Sequence, residues 1–584
     1  MTKDKEINSI PCLMVHLLRR LTHLDIHDSL SFNFFANKSL TTILVLITYL
    51  NVDVVHRGGY VGSKDQGNAK ENKCVFHADA RVKIKDIRFP TSLKGDGSDA
   101  IHRDPDYSAV YVELKTDVED LSGCGLSFTL GRGNEIVKCA VESLKFLIVG
   151  KNIRDIQTNM GKWVYDISNE SQLRWIGPDK GVINLAFAAI VNAFWDLWGK
   201  MERKPVWKLL VDMSPEQNVS LINFKYLEDA LSPREALNLL NKARNGSMDR
   251  EKEIKVLGFP AYTTQVGWMN YSDEKIRSTA KAFIDRGFTA FKMKVGRDIN
   301  DDKRRLRVIR ECIGPDCKLM VDANQIWGVE QAIHWMKELA EFKITWIEEP
   351  TSPDDILGHI TISEALRPYN IGVATGEVCH NRVMFKQFLS SGGMQFCQID
   401  SARMVGLNDV LAVYLMAYKY GIPVCPHAGG VGLCEMVQHL QVFDYVSLGG
   451  TFEDRMIEYV DHLHEHFIYP PVIGESKYFP PTAPGYSTEM KRASIRDFEY
   501  PNGITWKNIL SSLDFNSSIS MKYAFVFLCI ALVFAANVSS SVDNVNIQIC
   551  DEDKDCSQGF VCKEIEGQTV MDIKMCQPSQ KVNH

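Results

Sequence analysis

Phe291-Lys292-Met293-Lys294-Val295, Val321-Asp322-Ala323-Asn324, Trp346-Ile347-Glu348-Glu349-Pro350 and Ala374-Thr375-Gly376-Glu377 are four short, largely apolar runs that carry charge at or near their ends. The charged positions 292/294, 322, 348 and 377 recur every 26 to 30 residues. That interval matches one strand plus one helix of a parallel α/β fold. Working outward, similar runs predict strands at 260–264, 288–295, 318–324, 345–350, 372–377, 396–400, 423–427 and 445–450, with amphipathic helices between them. Eight such units argue for a closed TIM-like (β/α)7β barrel, whose chemistry sits at the C-terminal strand ends. No G-x-G-x-x-G follows any of these strands, which argues against a dinucleotide fold.

Two lysines and three carboxylates would then face one mouth. Lys292 and Lys294 are two apart on a strand and share a face. If that face is the barrel interior, two buried ammonium groups need compensating anions. If it is the outer, solvated face, Phe291, Met293 and Val295 fill the interior instead. Asp322, Glu348 and Glu377 end the third, fourth and fifth predicted strands. Neighbouring strands stand about 4.8 Å apart, so these carboxylates can converge on one ion. An all-oxygen donor set suits Mg²⁺. Single acids at such places are common as helix N-caps, but three in register are not well explained that way. Asp400 ends the sixth predicted strand and His427 the seventh, so Asp400 can orient the imidazole. The glycines of His427-Ala428-Gly429-Gly430 suit an exposed active histidine.

Before the barrel, 82–90 and 109–116 alternate like half-buried strands, and 135–149 and 182–197 have helical periodicity. They predict an α+β cap over 81–215, with the barrel over 216–454 and a segment over 455–515 returning to the cap. Between the first two strands, Lys94-Gly95-Asp96-Gly97-Ser98-Asp99 is a loop: a solvated turn or a mobile lid over the site. Residues 1–80 form an irregular extension, with 58–72 a glycine-rich linker. From Met521 an apolar run ends in Ala535-Ala536-Asn537-Val538-Ser539, and Cys550, Cys556, Cys562 and Cys576 follow. This resembles a secretory signal and a small disulfide scaffold, and 521–584 read as a separate, fused product.

Over 584 residues the hydrophobic fraction is 45%, the charged fraction 24% and the net charge −7. These values belong to a globular protein with a large core and give no general affinity for nucleic acid or anionic lipid. The cysteines from 124 to 434 stand singly in apolar surroundings, as small buried hydrophobes do in a reduced compartment.

The runs 172–178 (Gln-Leu-Arg-Trp-Ile-Gly-Pro), 347–355, 425–430 and 459–466 are similar to the enolase superfamily. Within its mandelate racemase/muconate lactonizing branch they resemble the L-fuconate dehydratases, over roughly 82–510. The resemblance implies Mg²⁺ bound by Asp322, Glu348 and Glu377. It implies Lys294 as the base, Lys292 as its partner, which lowers the base's pKa and touches the substrate carboxylate, His427 as the general acid and Asp400 as its dyad partner. It also implies a specificity lid of Gly97, Ser98, Asp99 and Tyr107, and substrate contacts from Asn324, Glu377 and Glu453. The expected reaction is dehydration of L-fuconate to 2-keto-3-deoxy-L-fuconate through an enolate, in a mitochondrial or cytosolic homo-oligomer. The expected partner is a small sugar acid, with no nucleic acid or membrane. A sugar-acid epimerase or racemase is the alternative. So is a non-catalytic regulatory descendant, since Ile326 stands where the family carries Arg.

Overall fold

The computed structural model describes residues 82–512 and two short antiparallel strands, Phe560–Glu564 and Lys574–Pro578. The extension expected over 1–80 and the signal-like run from Met521 lie outside the described residues.

The chain first makes an antiparallel sheet of β1 (Val82–Arg88), β2 (Ser108–Lys115) and β3 (Ser122–Thr129). The third strand was not expected, because Ser122-Gly123-Cys124-Gly125 carries two glycines where β-branched residues favour a strand. Those glycines let helix α1 (Gly181–Met201) lie directly on the sheet. A Cβ on Gly123 would stand 2.2 Å from the Ala193 carbonyl oxygen, and one on Gly125 2.3 Å from that of Ala189. The same helix holds the loops above the barrel. Asn184 Nδ2 donates to the His380 carbonyl (3.0 Å), Asn192 Nδ2 to that of Ser401 (2.8 Å) and Trp195 Nε1 to Asn408 Oδ1 (2.9 Å).

The barrel runs in order through β4 (Phe259–Gly267), β5 (Ala290–Lys294), β6 (Lys318–Asp322), β7 (Ile344–Glu348), β8 (Gly372–Thr375) and β9 (Phe396–Cys397), each parallel to the next. Residues 424–427 take the seventh place: Val424 bridges Cys397, and the His427 N–H donates to the Ile399 carbonyl at 3.0 Å. β10 (Ile457–Tyr459) pairs in parallel with β4 and closes the ring. Seven helices alternate with these strands: α2 (Asp273–Asp285), α3 (Ile299–Ile313), α4 (Val329–Glu338), α5 (Ile356–Leu366), α6 (Arg382–Ser391), α7 (Leu407–Tyr420) and α8 (Leu433–Asp444). Ser272, Asp298, Asp355 and Asn381 cap four of them with side-chain oxygens, which ends each preceding loop cleanly.

The expected eighth strand at 445–450 is wrong. Tyr445–Gly449 is one π-helical turn at the end of α8, and the strand lies further on at β10. Beyond it the chain returns to the cap. Lys85 Nζ meets Glu499 at 2.7 Å, and Trp506 Nε1 donates to the Arg88 carbonyl at 2.8 Å.

The pleat then sorts the site. Tyr262, Ala290, Met320, Trp346, Ala374, Phe396, Cys425 and Met456 form an apolar plug inside the barrel. Two residues further along the same strands point to the same side. For most of them that next layer is polar: Thr264, Lys292, Asp322, Glu348, Gln398, His427 and Glu458. Phe291, Met293, Val321 and Ile347 face the surrounding helices instead and are fully buried there. Lys292 and Lys294 therefore face inward, which settles the choice that the strand alone left open.

Candidate active site

Parallel register places Lys294 opposite Asp322, and Asp322 opposite Glu348. The base candidate and two of the acids thus share one rung. Glu377 joins them from the turn after β8. There Gly376 has φ +141°, and a Cβ on it would stand 2.5 Å from the Gln398 carbonyl oxygen, so only glycine turns the chain at that point. Oxygens of Asp322, Glu348 and Glu377 all lie within 4.8 Å of one another. Oxygens around one octahedral Mg²⁺ stand at most about 4.2 Å apart, so the cluster needs little closure to hold such an ion. The donors are all oxygen and, once ionised around a metal, would carry three negative charges, which fits a hard divalent cation.

The electrostatics fit the same ion. Burial pushes Glu348 up to about 8; the Lys292 ammonium opposes this, and Asp322, Glu458 and Glu377 add to it. Crowded acids of this kind are relieved by a cation. Glu348 accepts hydrogen bonds from Lys292 Nζ (2.6 Å), Gln398 Nε2 (2.5 Å) and Trp346 Nε1 (3.3 Å), which aim its oxygens. Asn324 N–H does the same for Asp322 Oδ1 at 2.9 Å. Asn324 and Gln325 hold positive φ angles of 46° and 67°, a strained turn that sits at the mouth. The Asn324 Oδ1 is buried without a hydrogen-bond partner and lines the cavity.

Lys292 is 1% exposed, with Glu348 at 2.6 Å, Glu458 at 2.9 Å and Asp322 at 3.6 Å. Burial pulls its pKa down, but Glu348 and Glu458 outweigh that and hold it well above the usual lysine value, so Lys292 stays an ammonium. The expected depression of Lys294 is not present in this arrangement. Burial and, more weakly, Lys292 do lower its pKa, but Asp322 Oδ2 at 2.5 Å raises it above the usual value. Sequence reasoning counted the neighbouring lysine and left out the carboxylate on the same rung.

Across the ring, His427 Nδ1 meets Asp400 Oδ2 at 2.8 Å, and its Nε2 stands 3.7 Å from Glu377. Burial opposes its charge, but Glu377 and Asp400 prevail and raise its pKa to about 10. The ring is therefore an imidazolium at neutral pH. Asp400 is itself fixed by the Ala402 N–H at 2.6 Å.

Glu453 is not part of the site. It is exposed, and its neighbour Asp454 pairs with Lys318, at the start of β6 and so at the other end of the barrel. The carboxyl facing the site is Glu458, in the middle of β10. It holds Lys292 with one oxygen and accepts the Ala428 and Gly429 N–H groups with the other, at 2.8 and 3.0 Å. The error follows from the misplaced eighth strand. Gln398, Thr264, Arg403 and His102 also escaped sequence reading. The inward alternation of Tyr262 with Thr264 and of Phe396 with Gln398 could have signalled two of them.

A cavity of about 270 Å³ joins these groups, bounded by Lys292, Lys294, Asn324, Glu377, His427 and Glu458 and roofed by Gly97, Asp99, His102 and Tyr107. Ile326 does not line it. Its side chain is 39% exposed and lies over Gly296 beyond β5. Its apolar character therefore leaves the acids, lysines and His427 in place. The arrangement can hold an anion beside a cation, take a proton from one side and give one from the other.

Residues 275–494 match the family model described as enolase C-terminal domain-like. The chain is similar to mitochondrial enolase superfamily member 1 of Xenopus laevis, 56% identical over 428 residues, 73% of this chain and 96% of that protein. It is 50% identical to the L-galactonate dehydratase of Hypocrea jecorina, over 72% of this chain and 94% of that protein. The crystal structure of human mitochondrial enolase superfamily member 1 superposes with a TM-score of 0.74 at 54% identity, covering 75% of this chain and 99% of that one.

Proposed function

Since this chain belongs to the enolase superfamily, we propose that it is a Mg²⁺-dependent sugar-acid dehydratase that converts L-fuconate to 2-keto-3-deoxy-L-fuconate and water. The observation that carries the reading is the placement of two proton-transfer groups. Lys294 on β5 and His427 on the seventh strand are separated round the ring by β4 and β10 on one side and by four strands on the other, with the carboxylate cluster between.

Each residue has a distinct task. Lys292, locked as an ammonium, meets the substrate carboxylate and stabilises the charge that grows there as C2 loses its proton, usually the largest catalytic effect. Lys294 takes that proton and must be neutral to do so. Asp322, Glu348 and Glu377 would hold Mg²⁺, whose positive charge would engage Asp322 and disfavour an ammonium at Lys294. His427, charged and oriented by Asp400, gives its proton to the departing C3 hydroxyl. Asn324 Oδ1 offers an acceptor to a substrate hydroxyl.

The relatives' names support a mitochondrial location. Exposed Trp175 and Ile176, 92% and 67% accessible, support a homo-oligomer. The test is turnover of a panel of aldonic acids by the full chain, with and without Mg²⁺, detecting the 2-keto-3-deoxy product. L-fuconate should be the best substrate and turnover should require the ion. Turnover of other acids with L-fuconate untouched overturns the substrate assignment. The same two groups would also serve inversion at C2, and a C2 epimer formed without keto acid would favour the epimerase reading.

A further inference from the structure

We infer that His102 is the lid residue that reads the distal hydroxyl groups of the substrate, and that Asp99 serves to position it. The inference deepens the dehydratase reading and rests on it.

The polar side-chain atoms of Ser98 and Asp99 are already used in holding the lid. Ser98 Oγ donates to the Gly95 carbonyl at 2.9 Å and accepts the Asn270 N–H at 3.0 Å. Asp99 is 4% exposed. Its Oδ1 accepts the N–H groups of Ile101 (2.8 Å) and His102 (2.6 Å), and its Oδ2 accepts His102 Nδ1 at 2.9 Å. The Asp99 N–H in turn donates to the His102 carbonyl at 2.9 Å. A carboxylate holding three N–H donors of its own loop is a scaffold for that loop. Gly97 has no side chain, and a Cβ there would collide with the Tyr107 ring at 2.5 Å.

His102 differs from them. Its ring lines the same cavity as Lys294, Glu377 and His427, and its side chain is 44% exposed. Nδ1 is committed to Asp99, so Nε2 is left to meet a ligand. Asp99 also raises the His102 pKa, which favours the ring as a donor. The lid is anchored where it can serve this purpose. The Met269 N–H donates to the Ser98 carbonyl at 2.9 Å, just past β4, and Arg297 Nη2 donates to the Asp99 carbonyl at 2.7 Å, just past β5. A substrate with its carboxylate at Lys292 and its C2 proton at Lys294 extends its far end toward the roof. A site that hydrogen-bonds a hydroxyl discriminates strongly against an analogue that lacks it.

The test compares the full-length aldonic acid with a truncated acid lacking the distal hydroxyls, in wild type, His102→Phe, His102→Gln and Asp99→Asn, all with Mg²⁺. Two readouts are taken: kcat/KM for each acid, and the thermal shift each acid produces, which needs no turnover. His102→Phe should reduce the preference for the full-length acid by on the order of 10–100-fold, chiefly through KM. His102→Gln, which keeps a donor, should recover part of it, and Asp99→Asn should fall between. An unchanged preference in His102→Phe, in both kcat/KM and thermal shift, overturns the inference. Equal loss for both acids does so too, because it marks a merely structural role. Absence of turnover in wild type counts against the dehydratase reading, and the thermal shifts then still decide the role of His102.

Discussion

Glu458→Gln probes the carboxyl that ties Lys292 to the backbone just after His427. Oε1 of Glu458 meets Lys292 Nζ at 2.9 Å, and Oε2 accepts the N–H groups of Ala428 and Gly429. Glutamine fits the same volume but replaces one oxygen with an NH₂. Whichever way the amide lies, a donor faces a donor: the Lys292 ammonium on one side or the two backbone N–H groups on the other. Removing one partner of a buried ion pair costs about 3–5 kcal/mol. Here Lys292 keeps Glu348 at 2.6 Å and Asp322 at 3.6 Å. The remaining loss is then nearer the cost of one unmet buried hydrogen bond, about 1–3 kcal/mol. Each kcal/mol shifts the melting midpoint by at most about 2–4 °C in a domain of this size. Because Ala428 and Gly429 follow His427 directly, the imidazole loses its footing too, and kcat should fall by about 10–100-fold while far-UV circular dichroism stays native. Thermal melts and steady-state kinetics read both effects. A variant with wild-type melting and wild-type kcat would refute the role given to Glu458.

Glu348→Gln removes one of three clustered charges, so turnover should be abolished and Mg²⁺ affinity weakened in calorimetry. Turnover that survives exhaustive chelation would rule the metal site out. Gly125→Ala should destabilise the cap, since its Cβ would meet the Ala189 carbonyl oxygen at 2.3 Å; urea midpoints equal to wild type would contradict that packing. Burial pushes His439 down to about 3, and its ring nitrogens face the Trp207 N–H and Ser487 Oγ. An unfolded histidine binds its proton near pH 6.5. Stability from this residue is therefore present above about pH 6.5 and is lost as pH falls toward 3. The urea midpoint should drop between pH 7 and pH 4, and by less in His439→Gln.

Much of the barrel was legible because its strands are contiguous apolar runs that end in charge. Lys294, Asp322 and Glu348 stood out because parallel pairing with equal strand lengths puts strand ends on one level. The same criterion failed for β10, which has three residues with Glu458 at its centre. It chose instead the apolar 445–450, whose residues cover the end of α8. That displaced the site carboxyl from Glu458 to Glu453. β3 was hidden by glycines whose purpose is visible only once α1 lies on them. The loop could be found from composition and its reading as a lid only from the family resemblance, while which of its side chains faces the cavity depends on hydrogen bonds within the loop. The state of Lys294 depends on a cross-strand neighbour that spacing along one strand cannot reveal.

The central claim is that Lys294 removes the C2 proton and His427 protonates the leaving hydroxyl. Each role should contribute on the order of 10²–10⁴-fold. The direct measurement is C2 hydrogen exchange in D₂O, followed by NMR alongside keto-acid formation, for Lys294→Ala and His427→Asn with Mg²⁺ present. Lys294→Ala should show neither exchange nor dehydration, whereas His427→Asn should lose dehydration and continue to exchange deuterium into unreacted substrate. Exchange retained in Lys294→Ala and lost in His427→Asn would reverse the two roles and contradict the account.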